Sequence, residues 1–164
     1  MKISSITENK NIEKRVAITP EITKKYISNG FEILIPKNYG KHLGIEDNNY
    51  KNLGAVIIDN EKEIIESCDI LVQLGLPEEE KLNHLKENQN LVGILNPYDN
   101  KELINKLIKK KINPFSLELL PRITRAQSMD ILSSQANLAG YKAVIEAFTK
   151  FERAIPMMMT AAGT

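Results

Sequence analysis

The sequence predicts an α/β fold, with a doubly wound, mostly parallel sheet and helices on both of its faces. Short apolar runs alternate with amphipathic stretches along the chain, which is typical of parallel sheets covered by helices. The composition, 42% hydrophobic and 26% charged, is that of a globular domain with a real core. Because crossovers between parallel strands are right-handed, a flavodoxin-like or Rossmann-like layout is expected.

Six apolar runs are the predicted strands, at residues 2–6, 31–35, 55–58, 69–73, 91–95 and 114–117. Helical patterns are predicted at residues 20–29, 45–53, 61–67, 78–87 and 101–110, with a longer helix from about Ser128 to Lys150. The first helix has clear boundary signals. Thr19 is the expected N-cap, Pro20 occupies the first helical position, and Gly30 lies just past the end.

The charge balance excludes several classes of partner. Twenty-two basic and 21 acidic residues leave a formal charge of +1, so we expect no nucleic-acid partner. The single cysteine, Cys68, excludes a disulfide framework and fits a reducing compartment. No apolar run approaches the roughly 20 residues that span a bilayer, and no signal-peptide pattern begins the chain. We therefore expect no direct membrane insertion by this segment.

Familiar metal and phosphate motifs do not occur in the sequence. The eight glycines are scattered, and neither a G-x-G-x-x-G fingerprint nor a P-loop is present. His42 and His84 lie far apart, and His84 belongs to a predicted solvated helix. Cys68 precedes a predicted strand and is expected to be a small core residue. We predict no metal site.

The polar segment from Arg122 to Ser134 is the main candidate site. It combines two arginines, a glutamine, an aspartate and several hydroxyl groups directly after the last predicted strand. These side chains suit amides, ribose hydroxyls and carboxylates, and ligands of doubly wound sheets bind beyond the carboxyl ends of the strands. Two structural interpretations remain open: Ser128 or Asp130 as a helix cap, and Arg125 with Asp130 as a surface ion pair.

The last predicted helix carries small residues on one face, at Ala136, Gly140, Ala143 and Ala147. This face could pack closely on the protein's own sheet or form a subunit interface, and the sequence leaves both open. Residues 154–164, AIPMMMTAAGT, are apolar and lack a closing helix. We expect residues 1–150 to form one α/β domain and residues 151–164 to begin the connection to a glycine-rich dinucleotide-binding domain.

Residues 121–141, PRITRAQSMDILSSQANLAGY, resemble the signature of the NAD(H)-binding domain of proton-translocating NAD(P) transhydrogenases. The resemblance covers essentially the whole chain. It includes EKRVAITP at residues 13–20, the Gly54-Ala55 pair before a strand, and MTAAG at residues 159–163. The alanine dehydrogenase/transhydrogenase N-terminal family is therefore the expected family.

The resemblance implies site roles for five residues. Arg122 and Ser133 would bond the nicotinamide carboxamide of NAD(H). Gln127 would meet the nicotinamide ribose and reach toward the second nucleotide, and Asp130 would help to set the position of the ring. Gln127 and Asp130 are thus the candidate catalytic positions, and Thr124 belongs to the same cofactor-binding loop.

The same resemblance implies an assembly. Hydride would pass between NAD(H) here and NADP(H) on a partner domain or β subunit, coupled to proton movement through a membrane domain. A homodimer is expected, as is a location at the cytoplasmic side of a bacterial inner membrane or the matrix side of a mitochondrion. The fragment alone is expected to be inactive.

Two other functions compete with this interpretation. Alanine dehydrogenase shares the opening motif, but its pocket needs a lysine and a histidine, and this chain has Gly75 and Asn96 at the matching positions. The carboxylate-binding arginine of that enzyme is retained as Arg15, for which we expect a role in packing or loop structure. The second alternative is a non-catalytic interaction domain.

Overall fold

The structure, a computed structural model, describes residues 1–153. Residues 154–164, with their predicted link to a second domain, lie outside the described residues. The chain divides into two compact units, the first from Met1 to Leu120 and the second from Pro121 onward. The prediction of a single domain over residues 1–150 remains a prediction.

The first unit contains a six-stranded sheet, with strands β1 Lys2–Ser4, β2 Glu32–Pro36, β3 Val56–Ile58, β4 Ile70–Val72, β5 Asn90–Gly93 and β6 Asn113–Ser116. Its helices are α1 Pro20–Ser28, α2 Asp47–Lys51, α3 Glu61–Ser67, α4 Glu79–Leu82 and α5 Lys101–Lys109. Two short 3₁₀ helices, Lys41–Leu43 and Leu117–Leu119, were not predicted.

All neighbouring strands are parallel, and their order across the sheet is β3-β2-β1-β4-β5-β6. Ile3 of β1 is in register with Ile33 of β2 on one side and with Ile70 of β4 on the other. This confirms the doubly wound fold, and of the two predicted layouts it selects the Rossmann strand order. The direction of winding changes between β1 and β4.

Two groups of buried residues form the core. One contains Ile64, Leu71 and Leu91, all with at most 1% of their surface exposed. The other contains Ile33 and Ile35 of β2, both fully buried. Because the strands are only three to five residues long, almost every apolar side chain of the sheet is needed to build this core.

The boundaries of α1 are as predicted. Ile22 N donates to Thr19 Oγ1 over 3.3 Å, which satisfies one of the unpaired amides of the first turn. Gly30 has a φ of +82°, in the left-handed region that glycine adopts without a Cβ penalty.

The predicted helix at residues 78–87 is wrong in length, because α4 ends at Leu82. The cause is the buried side chain of Gln89. Its oxygen accepts from Lys86 N, and its nitrogen donates to Ile65 O and Cys68 O. These tertiary hydrogen bonds replace the helical bonds that residues 83–87 would otherwise make.

The second unit contains a 3₁₀ helix, Thr124–Met129, followed by the long helix α6, Ile131–Lys150. The helix therefore starts three residues later than the predicted Ser128. Asp130 has extended backbone angles, φ −72° and ψ 91°, and caps α6, so helical geometry begins only after it. Of the two predicted caps, Asp130 is the one that the structure shows.

The small-residue face of α6 is not packed closely in the described part of the chain. No residue of α6 is buried, and a Cβ added to Gly140 would meet no atom within 4 Å. Packing on the protein's own sheet is therefore not what the structure shows for this face, and the subunit interface remains a prediction. None of the described helices combines the length and the apolar character needed to cross a membrane.

Cys68 is a core residue with 4% of its surface exposed, and burial raises the pKa of its thiol to about 11. Because the thiolate is the reactive form, we expect no reaction with a disulfide reagent near neutral pH while the chain is folded. Thiol titration in concentrated guanidinium chloride should recover one equivalent per chain, since Cys68 is the only cysteine. Rapid reaction of the folded protein would contradict its burial.

Candidate functional site

The second unit gathers the predicted site residues around one cavity of about 340 Å³. Its lining consists of all five predicted residues and one apolar neighbour: Arg122, Ile123, Thr124, Gln127, Asp130 and Ser133. The segment folds this way because Ala126 is buried whereas its polar neighbours Thr124 and Gln127 are exposed. A 3₁₀ helix anchored by one small side chain thus presents the polar groups on one rim.

Asp130 and Ser133 form the most closely defined contact of this cavity. Ser133 N donates to Asp130 Oδ1 over 3.0 Å, and Ser133 Oγ donates to Asp130 Oδ2 over 2.7 Å. The hydrogen bonds from Ser133, with the Arg122 charge adding to them, lower the pKa of Asp130. Asp130 is therefore a carboxylate at neutral pH. Since the Ser133 hydroxyl hydrogen is engaged, its oxygen remains an acceptor for a further partner.

Arg122 lies at the open side of the cavity. Its side chain is 70% exposed, and Nε lies 4.0 Å from Asp130 Oδ2. The predicted surface pair of Asp130 is thus formed with Arg122 rather than Arg125. An exposed pair at this distance contributes little to stability. Most of the guanidinium fork consequently remains available to donate hydrogen bonds to another group.

The lining of this cavity contains neither histidine nor lysine among the described residues. Asp130 is its only carboxylate, and both of its oxygens accept hydrogen bonds from Ser133. Side chains that could exchange a proton near neutral pH are therefore missing from the described lining. The arrangement favours binding and orienting a polar ligand over general acid–base chemistry.

The first unit holds a separate cavity of about 470 Å³, whose lining includes Arg15, Gly75 and Asn96. Glu13 occupies the Arg15 fork, with Arg15 Nε 2.8 Å from Oε1 and Arg15 Nη2 2.6 Å from Oε2. The hydrogen bonds from Arg15 lower the pKa of Glu13. Arg15 N also donates to Glu13 Oε1, which fits the loop role expected for this arginine.

A third polar group, around Glu8 and Gln73, was missed by the sequence interpretation. Both residues follow strands, and Glu8 Oε1 accepts from Leu74 N over 2.6 Å. The signal was a polar residue directly after each of two apolar runs. Only the strand order shows that these two runs are neighbours, because they are separated by two complete βα units in sequence.

Comparison with known proteins identifies the family. The chain belongs to the family of the alanine dehydrogenase/PNT N-terminal domain, whose profile matches residues 5–139. This confirms the family that the sequence resembles.

Two relatives are similar over nearly the whole chain. The first portion of the NAD(P) transhydrogenase alpha subunit of Rickettsia prowazekii, a separate chain there, is 41% identical over 168 residues, covering 100% of this chain and 44% of the relative. The crystal structure of the transhydrogenase from Sinorhizobium meliloti matches 99% of this chain and 48% of that one, with a TM-score of 0.88 and 38% identity. The chain thus spans about half the length of these relatives.

Alanine dehydrogenases are more distant relatives. Alanine dehydrogenase 1 of Staphylococcus aureus is 27% identical over 145 residues, covering 88% of this chain and 38% of that enzyme. Together with Gly75 and Asn96 at the compared positions, this lower similarity favours the transhydrogenase interpretation over the dehydrogenase alternative.

Proposed function

We propose that the full-length protein transfers hydride between NAD(H) and NADP(H), coupled to proton translocation, and that residues 122–133 lie over the nicotinamide of NAD(H). The observation that carries the proposal is that Arg122, Thr124, Gln127, Asp130 and Ser133 line one cavity. Their similarity to a transhydrogenase signature supports this ligand over other polar molecules.

The residue chemistry fits the carboxamide of nicotinamide. Arg122 offers donors for the carboxamide oxygen, and the Ser133 oxygen, whose hydrogen is held by Asp130, offers an acceptor for the amide NH₂. Gln127 has a donor and an acceptor for a ribose hydroxyl. Asp130 acts as a positioning residue, since it fixes Ser133 through two hydrogen bonds and attracts Arg122.

The reaction class fits the same lining. The nicotinamide ring supplies the hydride chemistry, and no proton needs to move at the reacting carbons. The protein therefore has to orient the ring and limit the access of water. Orientation of the reactants can account for about 7–11 kcal/mol of a barrier, which a cavity without an acid or base can still provide.

The remaining components of the machinery belong to the proposal. They comprise a glycine-rich dinucleotide-binding domain after residue 164, a membrane domain, and an NADP(H)-binding domain or β subunit. A homodimer at the cytoplasmic side of a bacterial inner membrane, or at the matrix side of a mitochondrion, completes the proposed assembly. The names of the relatives, one the first portion of an NAD(P) transhydrogenase alpha subunit and the other a transhydrogenase, support this arrangement.

Arg122→Ala in the full-length protein is expected to weaken NADH binding about tenfold, the effect of losing one charge-assisted hydrogen bond. Arg122→Lys should show the same loss, because an ammonium cannot replace two coplanar donors of the fork. Equilibrium titration of NADH fluorescence measures both variants. Arg153→Ala is the control, since this arginine lies outside the cavity lining.

Full affinity in the lysine variant would contradict the carboxamide contact. The function itself is tested by direct hydride transfer from NADH to an NADP⁺ analogue, catalysed by the full-length protein with its NADP(H)-binding partner. Absence of transfer in that assembly would favour the alternative of a non-catalytic interaction domain.

A further inference from the structure

A second binding site is indicated at the point where the sheet changes its direction of winding. A cavity of about 300 Å³ lies beyond the carboxyl ends of β1 and β4, and we name it the switch-point cleft. Its lining includes Glu8, Glu61, Gln73, Gly75, Leu76 and Lys81. In doubly wound sheets this position is the usual place for a ligand. The cleft lies wholly within the first unit and is independent of the cavity at residues 122–133.

Gln73 provides a buried donor at the wall of this cleft. The residue is only 3% exposed, and its Oε1 accepts from Ser5 Oγ at 2.6 Å and from Ile6 N at 3.1 Å. The backbone amide of Ile6 can only donate, so the orientation of the carboxamide is fixed and Nε2 is the other end. Nε2 has no acceptor within residues 1–153. A buried donor without a partner is costly, and this one therefore points to a ligand.

Glu8 provides an acceptor in the same cleft. Its Oε1 is held by Leu74 N at 2.6 Å, and its Oε2 would lie 4.0 Å from a Cβ at Gly75. Burial raises the pKa of Glu8, which shows that the surroundings disfavour its charge. A hydrogen-bond donor placed against Oε2 would stabilise the carboxylate.

The remaining charges of the cleft compensate one another. Lys81 Nζ lies 2.8 Å from Glu61 Oε2 and donates to Thr7 O, while Thr7 N donates to Glu61 Oε1. Burial alone would raise the pKa of Glu61, but the bonds from Lys81 and Thr7 outweigh it and lower that pKa. This pair fastens the loop after β1 and leaves Glu8 and Gln73 as the groups that a ligand would meet.

We propose that the switch-point cleft binds a small neutral molecule with a primary carboxamide head and an apolar body. A carboxamide offers an acceptor for Gln73 Nε2 and a donor for Glu8 Oε2 side by side. An ammonium has no acceptor for Gln73, and a carboxylate has no donor for Glu8 and is repelled by its charge. The apolar body would contact Ile6, Ile12 and Leu76 of the lining.

The test uses three probes that share a phenyl body and differ in the head: benzamide, benzoate and benzylamine. Each is titrated into the ¹⁵N-labelled 164-residue chain, and amide shifts are followed residue by residue. Benzamide is expected to shift Leu74, Gly75 and the Gln73 side-chain NH₂ saturably. The other two probes should bind at least about tenfold more weakly, because each loses one of the two hydrogen bonds.

Two variants test the location. Gly75→Leu fills the cleft, and it should fold because a Cβ there meets only Glu8 Oε2, at 4.0 Å. Gln73→Glu keeps the acceptor for Ser5 and Ile6 but removes the donor. Both should abolish the benzamide shifts at residues 73–75, whereas Gln127→Leu, in the other cavity, should leave them unchanged. If Gln73→Glu does not fold, Gly75→Leu and the three probes still decide.

Three results would overturn the proposal: benzoate binding as tightly as benzamide, unchanged benzamide affinity in Gly75→Leu, or the absence of saturable shifts at residues 73–75. Benzamide shifts confined to residues 122–133 would also overturn it. That pattern would at the same time support a carboxamide at the nicotinamide loop, so failure of the two proposals can be distinguished.

Discussion

Replacing Leu91 by alanine is expected to lower the free energy of unfolding by about 3 kcal/mol, a large share of the roughly 5–15 kcal/mol that stabilises a typical domain. Leu91 is fully buried, belongs to β5 and is in register with Leu71 of β4. Truncation would remove apolar contacts and leave a cavity that strands paired on both sides cannot easily collapse to fill.

Urea denaturation of the 164-residue chain, followed by circular dichroism, measures this loss. Leu138→Ala in α6 is the matched control, because the same chemical change is made where 58% of the side chain is exposed. We expect that control to change stability by less than about 0.5 kcal/mol. A loss below about 1 kcal/mol for Leu91→Ala, or equal losses in the two variants, would contradict the assigned core.

The layout of the sheet was predictable because its strands are short apolar runs separated by helical patterns. Leu91 and Leu71 could be assigned to buried strands from hydrophobicity alone. What hydrophobicity could not give was the end of α4, since the hydrogen bonds of Gln89 connect residues more than twenty positions apart. A local pattern carries no information about such a tertiary partner.

The two candidate sites differ in the same way. Residues 122–133 are contiguous, so their polar character was visible in one segment, and the only error there was the start of the helix at Ser128 instead of after Asp130. Glu8 and Gln73 meet only because β1 and β4 are neighbours in the sheet. Sequence reasoning finds a site readily when one loop builds it, and misses a site that depends on strand order.

Gln127→Asn is expected to slow hydride transfer about 100-fold in the full-length protein assembled with its NADP(H)-binding partner. Gln127 lines the cavity with Arg122 and Ser133 and has an exposed side chain. Shortening it by one methylene withdraws the amide by about 1 Å, and a misplacement of that size can cost about two orders of magnitude in rate. Binding of NADH should change little, because Arg122 and Ser133 would still hold the carboxamide.

Single-turnover stopped-flow measurements separate the two quantities, since they report the transfer step before product release. Gln135→Asn is the matched control: it makes the same change on α6, outside the cavity lining, and should leave the rate unchanged. An unaltered single-turnover rate in Gln127→Asn would remove the positioning role of this side chain. A slower rate accompanied by an equal loss of NADH affinity would instead place Gln127 in ground-state binding, because an interaction made equally in both states changes affinity without favouring the transition state.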